Sequence, residues 1–338
     1  MTPTPGMRLD TEFDGDRARG RWRRLIGAHE FGVLVATAAI FAFCALFVNH
    51  FLTSENLLSV AQQIAFIGII GAGMTMLMVA GEIDLSVGSQ YGLLSVLMAY
   101  SVTQWQLPVA LAAVLVIGLG ALIGMIQGLI TTLFKVPSFV VTLAGLAILR
   151  GAALLITAGQ PLQGSTSPGY HSLVGGNAIG SLAAQTLWMA AIMIGLGWVL
   201  SRTKFGFDVY ATGGNAKAAL NAGIRTVRVK VICFALTGAL CGLAGFILVG
   251  WLGSANPLTG NGFELSVIAA VVVGGASLTG GVGTMAGTLL GALVAGLIAN
   301  ALVLMGVDGN WQQVATGVLI LAAVLTNRLV ATRQAALH

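Results

Sequence analysis

Charge is what this chain has least of. Of its 338 residues only 8% are Asp, Glu, Lys or Arg, against about 25% for an ordinary soluble domain. So few charged side chains cannot cover the surface of a soluble fold of this size. Metal-binding and redox residues are sparse as well. Cys44, Cys233 and Cys241 lie inside apolar runs without CxxC spacing, and the four His residues are scattered with no HExxH. These patterns leave no disulfide framework and no zinc signature. The chain has no GxxxxGK[ST] and not even a Gly-Lys dipeptide, so it carries no P-loop. No nucleophile–base constellation is visible, and no cofactor is expected.

What is abundant is apolar. Hydrophobic residues make up 57% of the chain, mean hydropathy is +0.94 and 47 residues are glycine. Those values, with repeated long apolar runs, define an integral membrane protein. A soluble enzyme, a DNA-binding module and a disordered scaffold are excluded. The pI near 9.4 reads as membrane orientation, because the basic residues sort by topology rather than into a nucleic-acid face.

Residues 1–28 hold six arginines, four acids, Pro3 and Pro5 without an apolar stretch, and are expected to be a flexible basic cytoplasmic tail. Apolar runs follow at about 31–51, 57–80, 107–131, 138–158, 186–201, 230–252, 286–306 and 312–327. Two shorter ones lie near 89–102 and 265–278. Counting both gives an all-α polytopic protein of about ten transmembrane helices with both termini cytoplasmic. A single membrane domain would then cover 29–330, with a cytoplasmic tail at 331–338. In that topology 15 of the 16 Lys/Arg lie inside, including six between Arg202 and Lys230, and only Arg150 falls within a span. If 89–102 did not cross, those six would move outside, against the positive-inside rule.

The long loop at about 202–229 divides the spans into five plus five, so similar halves would be inverted relative to each other. Two short echoes fit that division. Asp84-Leu85-Ser86-Val87 precedes the third span and Glu264-Leu265-Ser266-Val267 the eighth. Ladders Gly120/Gly124/Gly128 and Gly283/Gly287/Gly291 occupy the spans that follow. Most glycines are expected simply to let helices pack closely.

A few polar residues at membrane depth stand out. Gly81–Ser89 places Glu82, Asp84, Ser86 and Ser89 between apolar runs. The acids either cap the third helix and pair structurally or touch a translocated solute. Arg150 is too central in its span to snorkel. A salt bridge to Asp84 or Glu82 is the favoured expectation, contact with a hydroxylated solute the alternative. Glu264 joins this pathway-or-structure set near a helix end, and Asn300 is expected to make an interhelical hydrogen bond.

The loop reads Tyr210-Ala-Thr-Gly213-Gly214-Asn215, then Ala216-Lys217-Ala218-Ala219-Leu220-Asn221-Ala222-Gly223-Ile224. Gly-Gly-Asn offers a turn and an N-cap, followed by a short helix stopped at Gly223. Such a helix suits the transmission of force from a soluble partner.

With these residues in view, the chain resembles the membrane permeases of ribose-type carbohydrate ABC importers. Four stretches carry the likeness: Ile83-Asp84-Leu85-Ser86-Val87-Gly88-Ser89; Leu149-Arg150-Gly151 with Gly159-Gln160-Pro161; the Tyr210–Ile224 loop; and Gly262-Phe263-Glu264-Leu265 running on to Gly280-Gly281. They occur in family order over about residues 30–330. Glu82 stands where the family usually has Gly, and Asp208 follows Phe207 where an Arg usually follows the Phe-Gly.

The resemblance implies a permease subunit of the bacterial inner membrane, working by alternating access with a second permease copy. Its partners would be a cytoplasmic ATP-binding subunit with paired nucleotide-binding domains and a soluble sugar-binding protein outside. By the same likeness, Tyr210, Gly213, Gly214, Asn215, Ala218, Ala219, Gly223 and Ile224 would form the segment coupling to the ATPase. The solute would be a monosaccharide, with a nucleoside or another small polar solute as the alternative. A proton-coupled carrier using Glu82 and Asp84 is the rival of a different class.

Overall fold

The computed structural model describes residues 15–165, 167–179 and 182–335. The first five helices follow one another closely: α1 (Gly15–Phe47), α2 (Ser54–Val79), α3 (Val87–Thr103), α4 (Val109–Leu133) and α5 (Ser138–Thr157). A small surface cluster comes next, with β1 (Leu162–Gln163), α6 (Pro168–Val174), β2 (Asn177–Ile179) and β3 (Leu182–Ala183). Then come α7 (Ala184–Arg202), α8 (Lys204–Gly214), α9 (Ala216–Asn221) and α10 (Thr226–Leu252). The chain ends with β4 (Ser254–Ala255), α11 (Phe263–Val273), α12 (Met285–Leu304) and α13 (Asn310–Ala335). β1 pairs antiparallel with β4, and β2 with β3.

All ten apolar runs are helical, but they are not equivalent. Among the described residues six helices are long and apolar enough to cross a membrane: α2, α4, α5, α7, α10 and α12. α3 has 17 residues and α11 only 11. At 1.5 Å per residue those are roughly 25 and 16 Å, and the second is about half a bilayer core. The eighth apolar run is thus a half-length helix.

α2 and α10 are the most enclosed of the long helices and form the centre, while α4 and α5 keep most of their surface outward. A helix that is apolar all round belongs in such a position. Glycine sets the spacing where helices cross. A Cβ at Gly120 would collide with the Gly238 carbonyl, and one at Gly124 with that of Phe234, so α4 and α10 touch backbone to backbone. α12 and α11 do the same through Gly287 with Gly274 and Gly291 with Ala270. Both expected ladders therefore serve close packing.

Two connections depart from simple turns. α2 ends at Ala80, Gly81 takes φ +83°, and residues 82–86 form a non-helical connection to α3. α10 ends at Gly253, and the link 254–262 folds back against the first turns of α3, where Gly260 and Gly88 meet backbone to backbone. Gly260 and Gly262 both have positive φ, which only glycine adopts at little cost.

The sequence reading needs three corrections. α1 begins at Gly15, inside the stretch expected as a tail, where the five arginines between 17 and 24 are good helix formers. Residues 1–14 of that tail lie outside the described residues. α13 runs on through the expected tail 331–338 as far as Ala335, and 336–338 lie outside. The stretch 204–214, read as loop before the Gly-Gly-Asn turn, is the helix α8, with Thr203 Oγ1 accepting the Gly206 N–H at its start.

Candidate functional site

The polar residues gather in three places. The first is the α2–α3 break. Asp84 is fully buried, and its Oδ1 accepts the Ser86 N–H at 2.7 Å and the Ser86 hydroxyl at 2.6 Å. Gln90 Nε2 lies 3.2 Å from the other oxygen and 3.1 Å from Gln127 Oε1 on α4; Gln127 Nε2 in turn donates to Ser86 Oγ at 2.8 Å. Asp84 thus closes an Asx-type turn ahead of α3 and joins α3 to α4. No Lys or Arg lies within ion-pair distance of it among the described residues. Ser89, one turn further on, is buried with a hydroxyl that has no hydrogen-bond partner among the described residues.

Glu82 sits two residues before Asp84 and behaves differently. Its carboxylate takes the Lys230 ammonium of α10 at 2.5 Å, with both side chains partly exposed.

The second place is the α10–α11 link. Arg150 Nη1 donates to the carbonyls of Pro257 and Thr259, both at 2.8 Å. The expected pairing of Arg150 with Asp84 or Glu82 is absent. Those acids are engaged by Ser86 and Gln90 and by Lys230, and the link offers two carbonyls that no helix satisfies. The carboxylate that feels the Arg150 charge is Glu264, on the first turn of α11, whose Oε2 lies against Gly88. Asn300, further away on α12, exchanges hydrogen bonds with Asn56 of α2 at 2.7 and 3.1 Å, which is the interhelical pairing expected of it.

The third place is α8–α9. Gly213 fits between the end of α2 and the α11–α12 turn so tightly that a Cβ would collide with the Val79 carbonyl. Gly81 and Gly280 touch Gly213, Gly281 touches Gly214, and the Gly281 N–H donates to Val79 O at 2.9 Å. Tyr210 donates its hydroxyl to Gly283 O at 2.6 Å. Asn215 caps α9 by accepting the Ala218 N–H at 3.0 Å. Ala219 is buried, Gly214 and Ala218 are exposed, and α9 ends with Gly223 at φ +84° and the Ile224 N–H returning to Ala219 O, a Schellman-type stop. Phe207 and Leu220 face outward.

The sequence reading missed Gln90, Gln127, Lys230 and Asn56, the partners that decide what each singled-out residue does. Gln127 carried a usable signal, as the polar neighbour of Gly128 on the closest-packed face of α4.

A bundle of apolar helices with two broken connections, and a small helical appendage wedged between the α2–α3 break and the α11–α12 turn, is the architecture of a membrane permease. The chain belongs to the family described as "Branched-chain amino acid transport system / permease component", which matches residues 56–324. Among its relatives is the ribose import permease protein RbsC of Bacillus subtilis (strain 168), 43% identical over 82% of this chain and 86% of the relative. The probable ABC transporter permease protein YphD of Escherichia coli (strain K12) is 40% identical over 90% and 91%. The fructose import permease protein FrcC of Rhizobium meliloti is 33% identical over 86% and 83%. No solved structure matches the chain. It is a multi-pass protein of the bacterial inner membrane and a permease of the ABC importer class.

Proposed function

We propose that this chain is the permease subunit of an ATP-driven importer that passes a monosaccharide of the ribose type inward by alternating access. The observation that carries the reading is the wedge at Gly213. The end of α8 is locked by backbone contact to both the α2–α3 break and the α11–α12 turn, so any displacement of α8–α9 reaches both halves of the bundle. Phe207 and Leu220 beside it offer apolar surface to a cytoplasmic ATP-binding subunit with paired nucleotide-binding domains. ATP hydrolysis belongs to that partner, since this chain has no P-loop. A soluble sugar-binding protein outside and a second permease copy complete the transporter. The sugar rests on the relatives, whose names specify ribose and fructose.

The proposed topology has ten crossings, cytoplasmic termini and a five-plus-five inverted repeat. Its support is the packing pattern. α3 packs on α4, α5 and α10, and α11 packs on α12, α13 and α2. Exchanging the halves, with α2 for α10, turns one set into the other. The link 254–262 would then be a re-entrant segment preceding the half-length α11.

A proton-coupled carrier has less behind it, because Asp84 is held by three donors of its own break and Glu82 by Lys230. The deciding measurement is uptake into proteoliposomes. With ATPase, binding protein and internal ATP present, labelled sugar is expected to accumulate, and Gly213→Val is expected to abolish this in normally folded protein. Uptake by this chain alone under a pH gradient would overturn the proposal.

A further inference from the structure

Where α4, α5 and α10 meet α9 there is a cavity of about 350 Å³. Its wall holds the two cations Lys135 and Lys230, the hydroxyls of Thr131, Thr132, Ser138 and Thr226, and one carboxylate, Glu82. That carboxylate is already matched by Lys230. Lys135 has no ion-pair partner among the described residues, so the wall keeps one uncompensated positive charge. Lys135 sits in the turn after α4 with φ +55°, a left-handed conformation uncommon for lysine. An uncompensated cation in a wall of hydroxyl groups suits an anionic ligand.

The rim is apolar. Leu133 is 62% and Phe134 76% exposed, and Phe139 and Val227 also face outward. α4 and α5 carry this apolar surface onward along the membrane-facing side. A free anion would need the charged floor but not the greasy rim. We propose that the cavity binds the phosphate of an anionic phospholipid, with its acyl chains lying along α4 and α5 and Leu133 and Phe134 at their upper ends. Lys135 supplies the charge. Basic pockets between spans are a physically favoured place for such headgroups.

The test uses the purified full chain in detergent, titrated with phosphatidylglycerol, phosphatidylcholine or glycerol phosphate, and followed by native mass spectrometry and thermal shift. Phosphatidylglycerol is expected to bind and stabilise, with phosphatidylcholine clearly weaker. Lys135→Gln should weaken phosphatidylglycerol about fivefold, the scale of one basic residue at an anionic membrane surface. Lys135→Arg should retain binding. Arg202→Gln, which removes an exposed cation elsewhere, should leave it unchanged. Equal losses in Lys135→Gln and Arg202→Gln would overturn the site in favour of diffuse surface charge. Glycerol phosphate binding as tightly as the lipid would overturn it in favour of a soluble phosphate ester. Indifference to headgroup charge would remove the anionic basis altogether.

Discussion

The two broken connections of this permease begin from nearly the same tetrad and end in different chemistry. Asp84-Leu-Ser-Val and Glu264-Leu-Ser-Val each stand at the entrance to a short helix. At the first, the carboxylate is sealed in and takes local donors from Ser86 and Gln90. At the second, the extra methylene and the folded-back link leave the carboxylate half-exposed against Gly88, and the link itself is held from outside by Arg150. The first break is self-supporting only at its carboxylate, whose donors are Ser86 and Gln90, with Gln127 of α4 bracing Ser86; the second is held at its main chain by Arg150 of α5.

The largest effect should come from the self-supporting side. Asp84→Ala removes the acceptor for Ser86 and Gln90 inside a dry environment and leaves their donors unsatisfied. A loss of about 3 kcal/mol is expected, read as thermal or denaturant unfolding in detergent. A change below about 1 kcal/mol would mean that the break does not depend on its carboxylate.

Arg150→Ala comes next, at about 2 kcal/mol, because two carbonyls lose a charged donor. The comparison is sharpened by the cycle with Asp84→Ala. The structure assigns these residues to separate networks, so the two losses should add within about 0.5 kcal/mol. A coupling above about 1 kcal/mol would restore the direct ion pair that the sequence suggested and unite the two breaks electrostatically.

That mistaken pairing shows where sequence legibility stops. Helix positions, the cap at Asn215 and the stop at Gly223 were readable, because periodicity and local turn chemistry are encoded within a few residues. The Asn300 hydrogen bond was also readable in kind, though not its partner Asn56, 244 positions away. Arg150 was visible as an anomaly, but its acceptors are main-chain carbonyls, and no residue type marks an unsatisfied carbonyl. α8 was missed for a similar reason. Its closing Gly213-Gly214 looks like a helix breaker, yet Gly213 is what lets helix and break touch backbone to backbone.

The smallest effect tests whether the acids nearest each break matter for folding at all. Glu82 holds Lys230 at the water-facing side of the first break, with both groups partly solvated. Such pairs contribute little, because water and salt compete for both charges. Glu82→Gln should therefore cost no more than about 1 kcal/mol, and less as salt is raised. Glu264→Gln should cost still less, since no Lys or Arg lies within ion-pair distance of Glu264 among the described residues and the amide keeps its size. Parallel unfolding of both variants at low and high salt measures this. A salt-independent loss in Glu82→Gln would place that pair in a drier environment than its exposure indicates. A large loss in Glu264→Gln would make the second break as self-supporting as the first, and would remove the asymmetry between the two halves.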